Sequence, residues 1–172
     1  MTPSPLSPSA RRAHWRRTGQ VLMGWAAMGV GLTHARAAEK HLPVAASLPE
    51  ALTQAMAKRE PLVVMVSLQG CAFCKVVRES HLLPMQADGL PVVQIDMRQS
   101  TPIVDFGGKS LTHDEWVRQR GIRIAPTVLF FGRDGQEVAT RLKGAYLPDF
   151  YGAYLDEQLN AARRAVLKQW GV

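Results

Sequence analysis

The chain holds two cysteines, Cys71 and Cys74, with Ala72 and Phe73 between them. A two-residue spacing closes almost no loop, so a bridge there adds little as a structural staple. With no third cysteine there is no framework of bridges, and the pair either exchanges disulfides or supplies part of a metal site. Structural zinc asks for four ligands, and His41, His81 and His113 show no pairing at ligand spacing. Haem attachment needs His directly after Cys74, where Lys75 stands. Two thiolates with a methionine such as Met85 or Met97 would suit Cu(I), so a copper-carrying module stays open beside redox exchange. For exchange itself no metal or organic cofactor is expected.

The flanking sequence reads strand, cysteines, helix. Pro61-Leu62-Val63-Val64-Met65-Val66-Ser67-Leu68 is a continuous apolar, β-branched run, the pattern of a strand covered on both faces. From Ala72 to Leu83, Val76, Val77, Leu82 and Leu83 fit one helix face, and Pro84 with Asp88-Gly89 ends or kinks it. Cys71 then sits at a helix N-terminus, where unpaired amides and the positive dipole end favour the thiolate. Cys71 is expected to be the exposed nucleophile and Cys74, one turn inward, the resolving thiol.

Downstream, 90–97 reads as a second strand and 98–110 as a loop with turn residues and two exposed-looking apolar groups. The span 111–120 is a short helix with a Thr112/Glu115 capping box. A strand over 128–132, a turn at Arg133-Asp134-Gly135 and a partner strand over 136–143 form a hairpin, and Gly144 marks a bulge or close approach. Pro148 opens a closing helix to about Lys168, with Phe150, Tyr151, Tyr154, Leu155, Leu159, Ala162 and Val166 as its buried stripe. Upstream, Ser47 and Glu50 start a helix bearing Leu52, Ala55 and Met56. The element order is αβαβαββα.

Composition bounds the partners. With 172 residues, 47% apolar and 20% charged, the chain has the make-up of one ordinary globular domain. Its +7 charge is local: five of the 21 Lys and Arg (Arg11, Arg12, Arg16, Arg17, Arg36) lie in 1–37 with no acid, leaving 16 bases against 14 acids. That balance gives no sustained basic stripe and argues against nucleic acid. The arginines precede an apolar run, 21–33, and Ala35-Arg36-Ala37, the small-x-small pattern of a secretory signal peptide cleaved after Ala37. The run is short for a membrane span. The expected organisation is a signal peptide over 1–37, a flexible lead-in over 38–46 and one domain over 47–170, exported to an oxidising compartment, the bacterial periplasm.

From about Ser47 to Ala162 the chain resembles thioredoxins. The likeness rests on the C-x-x-C after the first core strand, Gly121-Ile122-Arg123 before Pro126-Thr127, a final hairpin with Asp134-Gly135, Gly144 and a closing helix. It is most similar to the exported, periplasmic thioredoxin-like group that includes SoxW. The resemblance implies an α/β thioredoxin fold, a central mixed sheet of about four strands flanked by helices, with a loop insertion before the helix that precedes the cis-proline. It implies that Pro126 is that cis-proline, that Ala125 offers backbone groups to an extended substrate, and that Gly70 and Phe73 join the substrate surface. It further implies a monomer that reduces disulfide-containing client proteins and draws electrons from a membrane donor of DsbD or CcdA type. An oxidase or isomerase shares the same fold and chemistry, and a chaperone-like member with incidental cysteines is a further reading.

Two positions depart from the family. Gly70 stands where thioredoxins usually carry Trp, and Met65 where they carry a buried acid that accepts the second thiol's proton. The stretch from Cys71 to Pro126 is also longer, and the surplus falls in 98–110. That loop either meets a partner through Ile103, Val104 and Phe106 or packs over a sheet edge.

Overall fold

All six side chains of β1 (Leu62–Ser67) are buried, so this strand has to be covered on both faces. The computed structural model describes residues 40–145 and 148–171, and the expected signal peptide with its cleavage site lies outside the described residues. β2 (Val92–Asp96) pairs parallel with one edge of β1, β5 (Thr127–Phe131) pairs antiparallel with the other, and β6 (Leu142–Lys143) pairs antiparallel with β5. The result is a mixed four-stranded sheet in the order β2-β1-β5-β6. Alternation along β1 divides the core. Leu62, Val64 and Val66 pack with α1 (Leu48–Ala57) and α4 (His113–Gln119). Val63 and Met65 pack with Cys74 and with α5 (Pro148–Lys168). Among the described residues no helix is long and apolar enough to cross a membrane.

Local signals place the helix ends. Ser47 Oγ accepts the Glu50 N–H at 3.3 Å to open α1. At α4 the capping box is complete: Thr112 Oγ1 accepts from Glu115 N–H at 3.2 Å, and Glu115 Oε2 accepts from Thr112 N–H at 2.7 Å. α5 buries Tyr151, Leu155, Leu159, Ala162 and Val166, but Phe150 and Tyr154 are 60% and 48% exposed, against expectation. The buried five recur every three or four residues on one face, and Phe150 and Tyr154 fall one residue, about 100°, to its side.

The 98–110 region corrects the expected loop. β3 (Pro102–Val104) and β4 (Ser110–Thr112) form an antiparallel hairpin. Asp105 Oδ1 holds its turn by accepting from the N–H groups of Gly107 and Lys109 at 2.9 and 2.8 Å. Ile103 is 1% exposed, and the Phe106 ring lies 4.7 Å from that of Phe131. The Arg120 guanidinium sits 5.5, 5.1 and 5.2 Å from the Phe106, Trp116 and Phe131 rings. Gly135 is required here, because a Cβ would stand 2.8 Å from the Phe106 ring. The insert's apolar residues Ile103 and Phe106 pack into the cluster of Leu62, Val64 and Phe131 on one face of the sheet, not over an edge.

Two further expectations change. The strand expected over 136–143 is broken: Val138 N–H donates to Phe130 O, yet Leu142 stands opposite Val128, so the residues between bulge outward. Gln158 Oε1 pins the bulge by accepting the Thr140 N–H at 3.1 Å. The lead-in expected to be flexible is laid along β2 over 42–46, where Gln94 N–H donates to Pro43 O at 2.7 Å and Ala45 N–H to Gln94 O at 2.9 Å. Leu42 and Ala45 are buried there, and the buried His113 ring meets Ala45 O through Nε2 at 3.0 Å while its Nδ1 accepts from Asp96 N–H.

Candidate redox site

The β1 chain leaves the sheet at Ser67 and turns through Leu68, Gln69 and Gly70 into Cys71. Gly70 has φ +77°, and open space surrounds the position of a missing Cβ. Backbone, not crowding, therefore demands glycine at this site, and a Trp here would be strained. Cys71 is the N-cap of α2 (Ala72–Val76), with extended φ and ψ of −80° and 110°. Its Sγ accepts the Cys74 N–H at 3.1 Å, the capping role that a serine oxygen usually fills. The two sulfurs are joined as a disulfide across a Cα separation of 5.2 Å.

The partners are unequal. Cys71 is half-buried at the surface, whereas Cys74 is 0% exposed among Met65, Val77, Val128 and Tyr151. An incoming sulfur can meet Cys71 and not Cys74. Across from the pair, the Ala125–Pro126 peptide is cis, and the Ala125 carbonyl oxygen lies 3.8 Å from Cys71 Sγ. Pro126 is buried and Ala125 half-buried, while Phe73 and Val76, one helical turn apart, are 54% and 43% exposed. Thus five of the residues singled out in sequence (Cys71, Cys74, Gly70, Ala125 and Pro126) converge, and Phe73 stands beside them on the first turn of α2.

Behind the cysteines the helix does not end at Pro84. It passes through a π-helical turn, Val77–Leu82, into α3 (Leu83–Ala87). Leu83 N–H donates to Arg78 O five residues back. Proline has no N–H and its ring clashes with the carbonyl four residues earlier, so a widened turn lets the helix carry on.

This turn brings in residues that the sequence reading did not single out. Arg78, 3% exposed, donates from Nη1 to Ser67 Oγ at 3.3 Å and to Gln94 Oε1 at 3.2 Å, and Gln94 Nε2 donates to Asp96 Oδ1 at 2.7 Å. They line a cavity of about 510 Å³ that also touches Gln69 and Gly70. The register Met65↔Gln94 and Ser67↔Asp96 places them on the sheet face of Met65. On that face β1 and β2 offer one carboxylate, Asp96, on the neighbouring strand. A signal existed: Arg78 follows Cys71 and Cys74 by seven and four residues, the repeat of one helix face. Gln94 and Asp96 likewise alternate within an otherwise apolar strand.

Other candidates are engaged elsewhere. His81 lies 5.4 Å from the Tyr151 ring, and burial pushes the Tyr151 phenol above its usual range. Glu60 accepts from Arg163 Nε at 2.8 Å. Met97 packs with the cluster of Leu62, Val64 and Val66, across the sheet from Cys74, which removes it as a partner for a thiolate-bound copper. Met85 packs on the Cys74 side. Among the described residues no three His, Cys, Asp or Glu gather as metal donors.

Residues 48–159 match the family model of the thioredoxin-like domain. Among solved structures the chain is similar to a thioredoxin from Thermus thermophilus, at 19% identity over 70% of this chain and 86% of that one, TM-score 0.47. It is similar to Fasciola hepatica thioredoxin at 19% identity, covering 69% and 97%, TM-score 0.44. It is also similar to the reduced form of the periplasmic thioredoxin SoxS from Paracoccus pantotrophus at 20% identity, covering 60% and 99%, TM-score 0.41. No curated protein sequence matches.

Proposed function

The chain belongs to the thioredoxin-like domain family, and from that membership and the unequal burial of its two cysteines we propose that it is an exported protein-disulfide reductase. The observation that carries this reading is Cys71 Sγ, half-buried at a helix start against the Ala125 carbonyl, with Cys74 sealed behind it. In the reduced protein the Cys71 thiolate attacks a client disulfide, forming a mixed disulfide and releasing one client thiolate. The Cys74 N–H that points at Cys71 Sγ stabilises negative charge on that sulfur. Cys74, deprotonated, then attacks Cys71 Sγ, releasing the second client thiolate and closing the Cys71–Cys74 bond. Two electrons pass to the client, and a membrane dithiol donor of DsbD or CcdA type restores the pair.

Export rests on the arginines, apolar run and Ala35-Arg36-Ala37 of the first 37 residues, and intact mass of the secreted protein should begin at Ala38. The protein is proposed to act in the periplasm as a monomer on disulfide-bonded client proteins. The roles are tested by trapping. Cys74→Ser should accumulate a covalent client adduct through Cys71, and accumulation in Cys71→Ser instead would reverse the assignment. Direction is read from the equilibrium potential of the pair. A value at or below about −250 mV fits a reductant, whereas one above about −180 mV makes the protein an oxidase or isomerase.

A further inference from the structure

Resting on the reading of Cys71 and Cys74 as an exchange centre, we infer that the basic pocket beside the Ala125–Pro126 step selects clients carrying an acidic side chain close to their reactive cysteine. The pocket has a volume of about 200 Å³ and is walled by Ile122, Arg123, Ile124, Thr127, Arg141 and Lys143. That is below the size of a typical small-molecule or cofactor site, and it suits one side chain.

Its position relative to the sulfur is built in. Ala125, whose carbonyl lies 3.8 Å from Cys71 Sγ, directly follows one wall residue, Ile124. The Thr127 hydroxyl donates to Ile124 O at 2.6 Å, closing the loop around the cis peptide. From the other side Gly144 N–H donates to Pro126 O at 2.7 Å, holding the end of β6, and with it Lys143, against the same step. A client strand laid along Ala125 has its flanking residues within reach of these walls.

The charge is one-sided. Three cations and no carboxylate line the pocket. The nearby Glu137 binds Arg141, which also donates to Arg120 O at 3.1 Å, so Arg141 is a fixed wall. Among the described residues neither Arg123 nor Lys143 forms an ion pair, and both are exposed. Beyond residue 37 the chain is nearly balanced in charge, so this concentration is local. The buried Ile122 and the 40% exposed Ile124 supply the apolar part of the wall.

The test uses the full mature protein, reduced beforehand, and peptides whose single cysteine is bridged to a small neutral thiol. Each position within three residues of that cysteine is set in turn to Glu, Gln or Lys, and kcat/KM is measured at low salt. At one or more positions Glu should exceed Lys by roughly fivefold, and the ratio should shrink as salt screens it. In Arg123→Glu/Lys143→Glu, whose two sites are solvent-exposed, the order should invert to favour Lys. Equal rates for Glu, Gln and Lys at every position would overturn the inference while leaving the exchange reading intact. An unchanged Glu preference in the reversed variant would also overturn it, by placing selectivity elsewhere. Failure to reduce even the Gln peptides would sink the exchange reading together with the inference.

Discussion

Both faces of the central sheet are packed with apolar side chains, and they differ in what interrupts them. Toward α1 and α4, Leu62, Val64 and Val66 meet Leu48, Leu52, Trp116 and Ile103, and the helices carry full N-caps. Among the polar groups there, His113 is bonded at both ring nitrogens, Arg120 lies over three rings, where burial lowers its pKa from the usual guanidinium value, and the buried Trp116 Nε1 has no hydrogen-bond partner. Toward the cysteines, Val63 and Met65 meet Cys74, Val77 and Phe130 in the same apolar way. Yet this face holds a sulfur in place of a capping oxygen, a widened helical turn, and Arg78 reaching Ser67 and Gln94 over an open cavity. Hydrophobic burial builds both faces, and irregular backbone marks the one that carries the cysteines.

If the faces are separable in this way, damage to the regular one should cost stability and leave the sulfur chemistry alone. Trp116 is 2% exposed and packs edge-on to Phe131 with a centroid distance of 6.4 Å. Trp116→Ala should lower the unfolding free energy by about 3–5 kcal/mol, read as a shift of the urea midpoint. The folded fraction should still exchange disulfides at the wild-type rate, and a large change in that rate would mean that the faces are coupled through β1.

Ile103→Ala probes the same division at the hairpin and should cost about 2–4 kcal/mol. Were the hairpin a client-binding device, the variant would instead slow exchange at unchanged stability. Substrate titration beside a denaturant series tells the two apart.

The sequence makes the reactive face's key residues legible because cysteine spacing, the preceding apolar run and the Ala125-Pro126-Thr127 step each restrict the chain locally. α1, β1, α4 and α5 are legible for the same reason, through Ser47, Thr112 and Glu115 at helix starts and through periodicity. What is hidden depends on distant partners. The hairpin of β3 and β4 is short, and Ile103 and Phe106 read as exposed until Phe131 and Arg120 are brought against them. Phe150 and Tyr154 share the apolar character of Tyr151 and Leu155, and only the angle of α5 on the sheet decides which are covered. The break between Val138 and Leu142 answers to Gln158 and Arg120, far away in sequence. Arg78 shows the same limit: its spacing from the cysteines places it on their helix face, but its burial rests on a turn widened ahead of Pro84.

The smallest effect is expected at the start of α4, where the regular face meets solvent. The Glu115 carboxyl is held below its ordinary value of 4.5, first by the Thr112 backbone N–H and then by the Thr112 hydroxyl, against a weaker opposing effect of desolvation. A carboxyl with a lowered folded-state pKa stabilises the protein above its unfolded value, and that contribution disappears as pH falls through the folded value. Glu115→Gln keeps a hydrogen-bonding side chain at the position while removing the charge, so it isolates this term. Near neutral pH the wild-type urea midpoint should lie slightly above that of the variant, and the gap should close as pH drops below 4.5 through the lowered folded-state value. A gap that persists unchanged into acid would assign the difference to shape at the helix start and not to the charge. The same series on the exchange rate should run in parallel for the two proteins, because the capping box lies on the face that the cysteines do not use.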